Sequence, residues 1–241
     1  MFEAPAPGFL EGLRALADKY GALLVFDEMW TGFRVALGGA QEKWGVRADL
    51  ACFSKAIANG MPISAITGRK DVMQLLEKDV FFFTTFGGEA LSLAAAQATM
   101  NVLEKENVSA ALAATGTKLR TGYLEIANQA GLEASTKCFG YDARTIVTFA
   151  DERSSPLAMK TFVQQEMIAR GVLWGGFHNV SYSHGPKEVE QVLGAYREVL
   201  PLLASALADK SVEKKLVGKM LEPVFRKTDN FHLKPRQKSA K

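Results

Sequence analysis

Residues 22–34 read A-L-L-V-F-D-E-M-W-T-G-F-R, and this stretch decides the fold class. Its first five residues, Ala22 to Phe26, form a continuous apolar run of strand length that does not alternate with polar residues. Such a run is typical of a parallel strand that is covered on both faces. Asp27 and Glu28 end the run abruptly. The stretch therefore predicts a buried parallel strand with an acidic carboxyl end.

The elements on either side of this strand predict an α/β architecture. Apolar residues recur at helical spacing over residues 9–20, and Gly21 follows them as the expected C-cap. Two further short apolar runs lie at residues 50–53 and 63–67, and an alanine-rich helical pattern begins near Glu89. Alternation of helices and strands is the pattern of a layered α/β domain.

In the second half of the chain, short strand-like segments alternate with helical patterns, which predicts a smaller α+β domain. We expect the first domain to cover residues 1–120 and the second, with a basic tail from Lys210 onward, to cover residues 121–241. The boundary itself can fall anywhere in the helical region 105–135. Short strands are expected at residues 144–149, 171–174 and 179–183, and helices at residues 156–170 and 186–208.

Composition excludes several classes of protein. The net charge of +3 over 241 residues is too small to indicate a nucleic-acid binder. No apolar run reaches the length of a membrane span. The two cysteines, Cys52 and Cys138, lie far apart, which favours a reducing, cytoplasmic location. The three histidines show no metal-ligand spacing, so we expect no metal site.

Two polar residues follow neighbouring predicted strands and suggest a chemistry. Asp27 closes the first strand, and Lys55 lies just past the second, where ligands of open α/β sheets bind. A carboxylate for a pyridinium nitrogen and a lysine that forms an imine are what pyridoxal phosphate needs from a protein. On the pattern alone, however, a loop cap and a solvated lysine are the simpler interpretation.

Three blocks of sequence carry a resemblance to a known family. They are D-E-M-W-T-G-F-R at residues 27–34, A-D-L-A-C-F-S-K-A-I-A-N-G-M-P at residues 48–62 and T-T-F-G-G-E-A-L-S-L-A-A-A at residues 84–96. In order and spacing they resemble class III pyridoxal-phosphate aminotransferases, and within them the branch of glutamate-1-semialdehyde 2,1-aminomutase. The resemblance implies the fold type I architecture of pyridoxal-phosphate transferases, of which this chain is only the C-terminal part.

The resemblance also implies roles for individual residues. Lys55 is the lysine that would form the Schiff base, and Asp27 would pair with the pyridine nitrogen. Met29 stands where the family usually has valine and would press on one face of the ring. Thr85, with Thr84 as a competing candidate, would reach across a homodimer interface to the phosphate of the partner's cofactor.

The implied activity is a ping-pong transfer of an amino group between a small amino donor and a keto or aldehyde acceptor. An aminomutase is one alternative, and a non-catalytic remnant without a complete cofactor cup is another. Ser54 replaces the glycine that usually precedes the aminomutase lysine, and Glu89-Ala90 replaces an asparagine-proline pair. These departures favour the aminotransferase. We expect the chain by itself to be poorly soluble or loosely packed, because the family's first half would cover its strands.

Four other residues have more than one interpretation. Glu28 could belong to the site or to local structure, and Trp30 could line a substrate pocket or pack against its neighbours. His178 lies in a segment where the family's small domain approaches the substrate. His184 precedes a predicted helix and is expected to be structural.

Overall fold

The computed structural model describes residues 4–222 of the chain, so most of the predicted basic tail, residues 223–241, lies outside the described residues. The helices of the described part are α1 (Phe9–Tyr20), α2 (Gly39–Trp44), α3 (Lys70–Met73), α4 (Ala90–Lys105), α5 (Val108–Gln129), α6 (Pro156–Ala169) and α7 (Pro186–Ala208). Its strands are β1 (Val25–Asp27), β2 (Leu50–Phe53), β3 (Ala65–Gly68), β4 (Thr136–Tyr141), β5 (Arg144–Phe149) and β6 (Phe177–Asn179).

The first sheet brings the ends of two sequence motifs to one edge. Its strand order is β1-β2-β3, with β1 and β2 parallel and β3 antiparallel to β2. In the register of β1 and β2, Phe26 lies beside Ala51 and Asp27 lies beside Cys52. Because parallel strands end on the same side of a sheet, the residues that follow Asp27 and Phe53 emerge at a common edge.

One face of this sheet is open, which corrects the prediction of a strand covered on both faces. Alternate residues of a strand point to opposite faces. Val25 is 52% exposed and Ile66 is 43% exposed on one face, whereas Ala51 on the other face is 2% exposed. The apolar run is present, but the described residues cover its outer face only in part.

The second sheet carries most of the core. It is antiparallel, in the order β4-β5-β6. Helices α5 and α6 pack against it, and α7 packs against both of these helices. The fully buried aromatic side chains Tyr123 and Tyr196 lie edge to face in this core, with ring centroids 4.8 Å apart. Buried aromatic and aliphatic residues from three helices therefore hold this half of the molecule together.

Most of the predicted elements are confirmed, but one predicted strand is absent and another is almost entirely absent. The helix predicted at residues 186–208 and the strand predicted at residues 144–149 have those bounds in the structure. Residues 171–174 form no strand, because Gly171 (φ 77°) and Gly176 (φ 91°) turn the chain on either side of them. Of the strand predicted at residues 179–183, only Asn179 lies in β6.

The division into residues 1–120 and 121–241 stays a prediction. Residue 120 lies inside α5, a continuous helix of 22 residues. This helix contacts α4 on one side and α7 and β4 on the other, so it belongs to both halves of the chain.

Candidate active site

Asp27 and Lys55 lie at the same edge of the first sheet. Asp27 is the last residue of β1, and Lys55 comes two residues after the end of β2, the parallel neighbour of β1. Both side chains are exposed. The sheet therefore presents a carboxylate and an amine from adjacent strand ends, which is where open α/β sheets bind ligands.

The backbone at Lys55 has an unusual conformation. Lys55 has φ 50°, in the left-handed region that residues other than glycine, asparagine and aspartate rarely adopt. A left-handed conformation costs free energy and is maintained only when the surroundings impose it. Before it, Ser54 donates a hydrogen bond to the carbonyl of Ile63 at 3.0 Å and accepts one from Ser64 at 3.1 Å. These bonds anchor the residue that precedes the lysine.

The carboxylate of Asp27 is held by the chain that follows it. The backbone N–H of Met29 donates to Oδ1 of Asp27 at 3.0 Å. Within residues 4–222 the other oxygen, Oδ2, accepts no hydrogen bond. One oxygen thus orients the carboxyl group, and the second remains available to a donor.

Trp30 connects this edge to the second sheet. Lys55 Nζ lies 5.0 Å from the centre of the Trp30 ring, and the guanidinium carbon of Arg144 lies 3.3 Å from the same centre. Cations are attracted to the faces of aromatic rings, most strongly to tryptophan. Trp30 is 38% exposed, so it lies at the surface beside Lys55 rather than in the core.

Glu28, which the sequence left open, is structural. Its side chain is 1% exposed and accepts hydrogen bonds from the backbone N–H groups of Ala40 (2.9 Å) and Gln41 (3.1 Å) and from the hydroxyl of Thr31. Those N–H groups lie in the first turn of α2, where a helix has no internal acceptors for its donors. Gly39 has φ 73°, and a Cβ there would lie 2.5 Å from a carboxylate oxygen of Glu28. Glu28 therefore anchors α2 to the end of β1.

His178 belongs to the core of the second sheet and not to the crevice. Its ring nitrogens are hydrogen-bonded to the hydroxyls of Thr145 and Tyr196, both at 2.8 Å. Burial lowers the pKa of His178 from 6.5 to about 4, which keeps the ring neutral at physiological pH. His184 is exposed, and its Nδ1 accepts a hydrogen bond from the Ser181 N–H at 3.2 Å, ahead of α7.

Thr85 lies in an exposed, aromatic-rich loop before α4. Thr84 and Thr85 are both exposed. Around them Phe81, Phe83 and Phe86 are 93%, 73% and 73% exposed. The side chain of Glu89 accepts from the N–H groups of Leu91 and Ser92 and so caps α4.

Residues 2–180 of the chain match the family described as aminotransferase class-III. The chain belongs to the class III aminotransferases. It is 36% identical to the glutamate-1-semialdehyde 2,1-aminomutase of Pelotomaculum thermopropionicum over 205 residues, which are 80% of this chain and 47% of that relative. The predicted family and its aminomutase-like branch are thereby confirmed.

Solved structures give the same family fold. The FumI protein of Sphingopyxis sp. MTA144, solved in its PLP internal aldimine form, is 29% identical, with a TM-score of 0.78 over 86% of this chain and 50% of that chain. An omega-transaminase of Sphaerobacter thermophilus is 26% identical, with a TM-score of 0.72 over 86% of this chain and 49% of that chain. This class III aminotransferase chain thus spans about half the length of the relatives it matches, as the resemblance implied.

Other kinds of site are not seen in the described part of this class III chain. Within residues 4–222 no group of three or more histidine, cysteine, aspartate or glutamate side chains is placed to hold a metal ion. In the same residues no helix is both long and apolar enough to cross a membrane.

Sequence reasoning did not predict that Arg144 stacks on Trp30 or that Arg34 reaches the segment after β6. Arg144, the first residue of β5, is 7% exposed, and Arg34 donates to the carbonyl of Val180 at 2.9 Å. Arg34 lies inside a block that the aminotransferases share, but Arg144 lies more than 100 residues further along the chain. No local pattern could indicate either contact, because both depend on how the two sheets pack.

Proposed function

We propose that the protein is a cytoplasmic pyridoxal-phosphate-dependent aminotransferase that transfers an amino group in two half-reactions. The observation that carries the proposal is the position of Asp27 and Lys55 at the carboxyl ends of adjacent parallel strands. The substrates are a small amino donor and a keto or aldehyde acceptor. The family membership of the chain supports this reaction class.

The side chains of Asp27 and Lys55 fit the chemistry of the cofactor. Pyridoxal phosphate, when bound, supplies an electron sink next to the carbon that carries the amino group. Asp27 has a carboxylate oxygen without a donor in the described residues, as a partner for a ring N–H must have. Lys55 forms no ion pair within residues 4–222, so its amine is not committed to a neighbouring carboxylate.

Each of these residues has a distinct task in the proposal. Asp27 would hold a proton at the pyridine nitrogen and keep the ring electron-poor. Lys55 would attach the cofactor through Nζ and, once released, would carry a proton at that atom, a task that suits lysine. Met29 would press on one ring face, and Thr85 would bind the phosphate.

The test of the proposal is where the cofactor attaches. The protein is mixed with pyridoxal phosphate, reduced with borohydride and digested, and mass spectrometry locates the labelled lysine. We expect the label on Lys55, its loss in Lys55→Ala, and its retention in Lys19→Ala. Lys19 is a matched control because its Nζ also lies over an aromatic ring, 5.2 Å from the centre of Tyr20. Equal labelling of many surface lysines, or unchanged labelling in Lys55→Ala, would contradict the proposal.

An aminomutase is the second candidate, because the chain is 36% identical to one. The two candidates differ in their need for an acceptor. An aminomutase isomerises one substrate with no external keto compound, whereas an aminotransferase stops after one half-reaction. Product formation from glutamate-1-semialdehyde without a keto acid would favour the aminomutase, and a strict requirement for the keto acid would favour the aminotransferase.

A homodimer is the proposed assembly. The loop that carries Thr85 exposes an aromatic surface of Phe81, Phe82, Phe83 and Phe86. Contiguous apolar surface of this kind marks interaction sites, and two-fold dimers are the commonest oligomers. We expect Phe83→Ser to weaken the dimer in sedimentation experiments, and Phe9→Ser, at the 55% exposed Phe9 of α1, to leave it intact. A wild-type monomer that retains cofactor would argue against Thr85 serving a partner.

A further inference from the structure

Asn59 and Gly60 form the centre of an exposed turn. They follow the short 3-10 helix Lys55–Ala58, and the N–H of Met61 donates across them to the carbonyl of Ala58 at 3.2 Å. Asn59 has φ 47° and Gly60 has φ 114°, so both central residues have the positive φ of a type I′ turn. Both are exposed, and a Cβ placed on Gly60 would meet nothing within 4 Å. The turn is therefore open on its Gly60 side.

An asparagine that precedes a glycine can lose ammonia without an enzyme. The backbone nitrogen of the glycine loses its proton to water and attacks the Cγ atom of the asparagine, and the side-chain nitrogen leaves as ammonia. Water then opens the cyclic imide to aspartate or to isoaspartate, in which the main chain runs through the former side chain. Glycine favours the ring closure because it has no side chain to obstruct it. Asparagine is one of the thermolabile residues of proteins.

Neither reacting group of this turn is engaged elsewhere. Within residues 4–222 the side-chain amide of Asn59 forms no hydrogen bond, and the backbone N–H of Gly60 donates none. A type I′ turn by itself favours asparagine followed by glycine, so the residue types have a conformational explanation. That explanation does not require the amide and the N–H to be free. Their freedom makes the turn reactive as well as well formed.

Asn107 shows which feature is special to Asn59. Both are exposed, with φ 47° and ψ 45° at Asn59 and φ 47° and ψ 51° at Asn107. Asn107 precedes Val108, a branched side chain that is 5% exposed, and its carbonyl accepts from the N–H of Ala110 at 3.1 Å. Asn59 is the only asparagine of the sequence that precedes a glycine. The same backbone conformation therefore predicts deamidation at Asn59 and not at Asn107.

The turn lies in a short loop that also contains Lys55. Ser54 donates to the carbonyl of Ile63 at 3.0 Å, and this bond closes a loop with Asn59 in its middle. Ala58, directly before the turn, is 2% exposed and packs against α4, so the first part of the loop is anchored. An extra main-chain carbon at position 59 must therefore displace the residues that lead to Ile63 and strain the Ser54 bond. Lys55, with φ 50°, depends on such surroundings to keep its conformation.

We propose that Asn59 deamidates spontaneously and that the isoaspartate formed there disturbs the conformation of Lys55. The chain thus carries a modification site four residues after the lysine to which the cofactor is proposed to attach. The effect on Lys55 rests on the proposed function, whereas the modification itself does not. The product differs from the original turn by one negative charge and one additional main-chain carbon.

Ageing of the folded chain tests the modification. The purified protein is kept in mildly acidic or mildly alkaline buffer and digested with trypsin, and mass spectrometry follows residues 56–69, which contain Asn59, and residues 106–118, which contain Asn107. We expect the first peptide to gain one mass unit, faster in alkaline buffer because the Gly60 nitrogen must lose its proton, and the second to stay unchanged. Conversion of Asn59 only in the urea-unfolded chain, or equal conversion of both asparagines, would overturn the site.

The variant Asn59→Gly separates ageing from its effect on Lys55. Glycine adopts the left-handed conformation and cannot deamidate. Fresh and aged samples are mixed with pyridoxal phosphate, reduced with borohydride and compared for the label on Lys55. We expect the label of aged wild type to fall in proportion to its isoaspartate content, and that of aged Asn59→Gly to stay at its fresh level. Asn59→Asp, which adds the charge without the main-chain carbon, should keep its label as well.

The outcomes separate this inference from the proposed function. A fresh wild type without label on Lys55 would remove the proposed function and with it the effect on Lys55, while conversion of Asn59 would still establish the modification site. Undiminished label in aged wild type that is rich in isoaspartate would overturn the effect and leave the proposed function standing. An equal loss of label in aged Asn59→Gly would also overturn it, because the damage would then lie elsewhere.

Discussion

Replacing Glu28 by alanine should unfold the protein at markedly lower temperature or denaturant concentration. The carboxylate is buried and accepts from the backbone N–H groups of Ala40 and Gln41 and from the hydroxyl of Thr31. A buried donor left without an acceptor costs about 1–3 kcal/mol. Glu28→Ala leaves two backbone N–H donors without their acceptor, so we expect a destabilisation of about 2–6 kcal/mol. For a chain of this size, that is a fall in Tm of roughly 2–4 °C per kcal/mol.

The assay is urea and thermal unfolding followed by circular dichroism. Glu11→Ala is the control, because Glu11 is exposed in the first turn of α1. Glu28→Gln should lose less than Glu28→Ala, since its amide oxygen can still accept one of the bonds. If Glu28→Ala and Glu11→Ala unfold at the same urea concentration, the carboxylate does not anchor α2 and the reasoning is refuted.

Two further predictions concern stability. Gly116→Ala should destabilise the fold by about 1–3 kcal/mol or more, because the new Cβ would overlap the carbonyl oxygen of Asp142. Gly12→Ala in α1, where nothing lies within 4 Å of the new Cβ, should stabilise the fold by about 0.5–1 kcal/mol. Similar unfolding midpoints for the two variants would contradict this packing. His178 has its pKa lowered to about 4 in the fold, so the unfolded chain binds the extra proton between pH 6.5 and 4 and stability should fall by about 1 kcal/mol per pH unit as the pH drops through that window. His178→Gln should flatten this slope and His184→Gln should not; an unchanged slope in His178→Gln would assign the acid sensitivity to other groups.

Much of the candidate site could be predicted from the sequence, because its two main residues are tied to local strand signals. Asp27 ends an apolar run and Lys55 follows another, and parallel pairing alone brings such ends to one edge. The bounds of α7 and β5 could also be predicted, since their apolar periodicity is continuous. Local periodicity is sufficient to predict a residue's position where that position depends mainly on the helix or strand that contains the residue.

The remaining features depend on packing between distant segments. Glu28 gave no sign of its role, because its partners in α2 are 12 and 13 residues away. The strand predicted at residues 171–174 fails because flanking glycines turn the chain, although the N–H of Val147 still bonds to the carbonyl of Gly176 at 2.9 Å. An apolar run indicates that a segment is buried, but it does not by itself indicate that the segment pairs with a neighbouring strand.

The two sheets meet near Trp30. Asp27, Trp30 and Lys55 lie at or just past strand ends of the first sheet, while Arg144 and Phe177 lie on strands of the second. The contacts that join them include the Arg144 stack on Trp30, the Arg34 bond to the Val180 carbonyl and an edge contact between Trp44 and Tyr141, with ring centroids 5.5 Å apart. These contacts are stacking and polar contacts rather than a continuous apolar core. Because Trp30 takes part in the first of these contacts, we expect substitutions at Trp30 to weaken the packing between the two sheets.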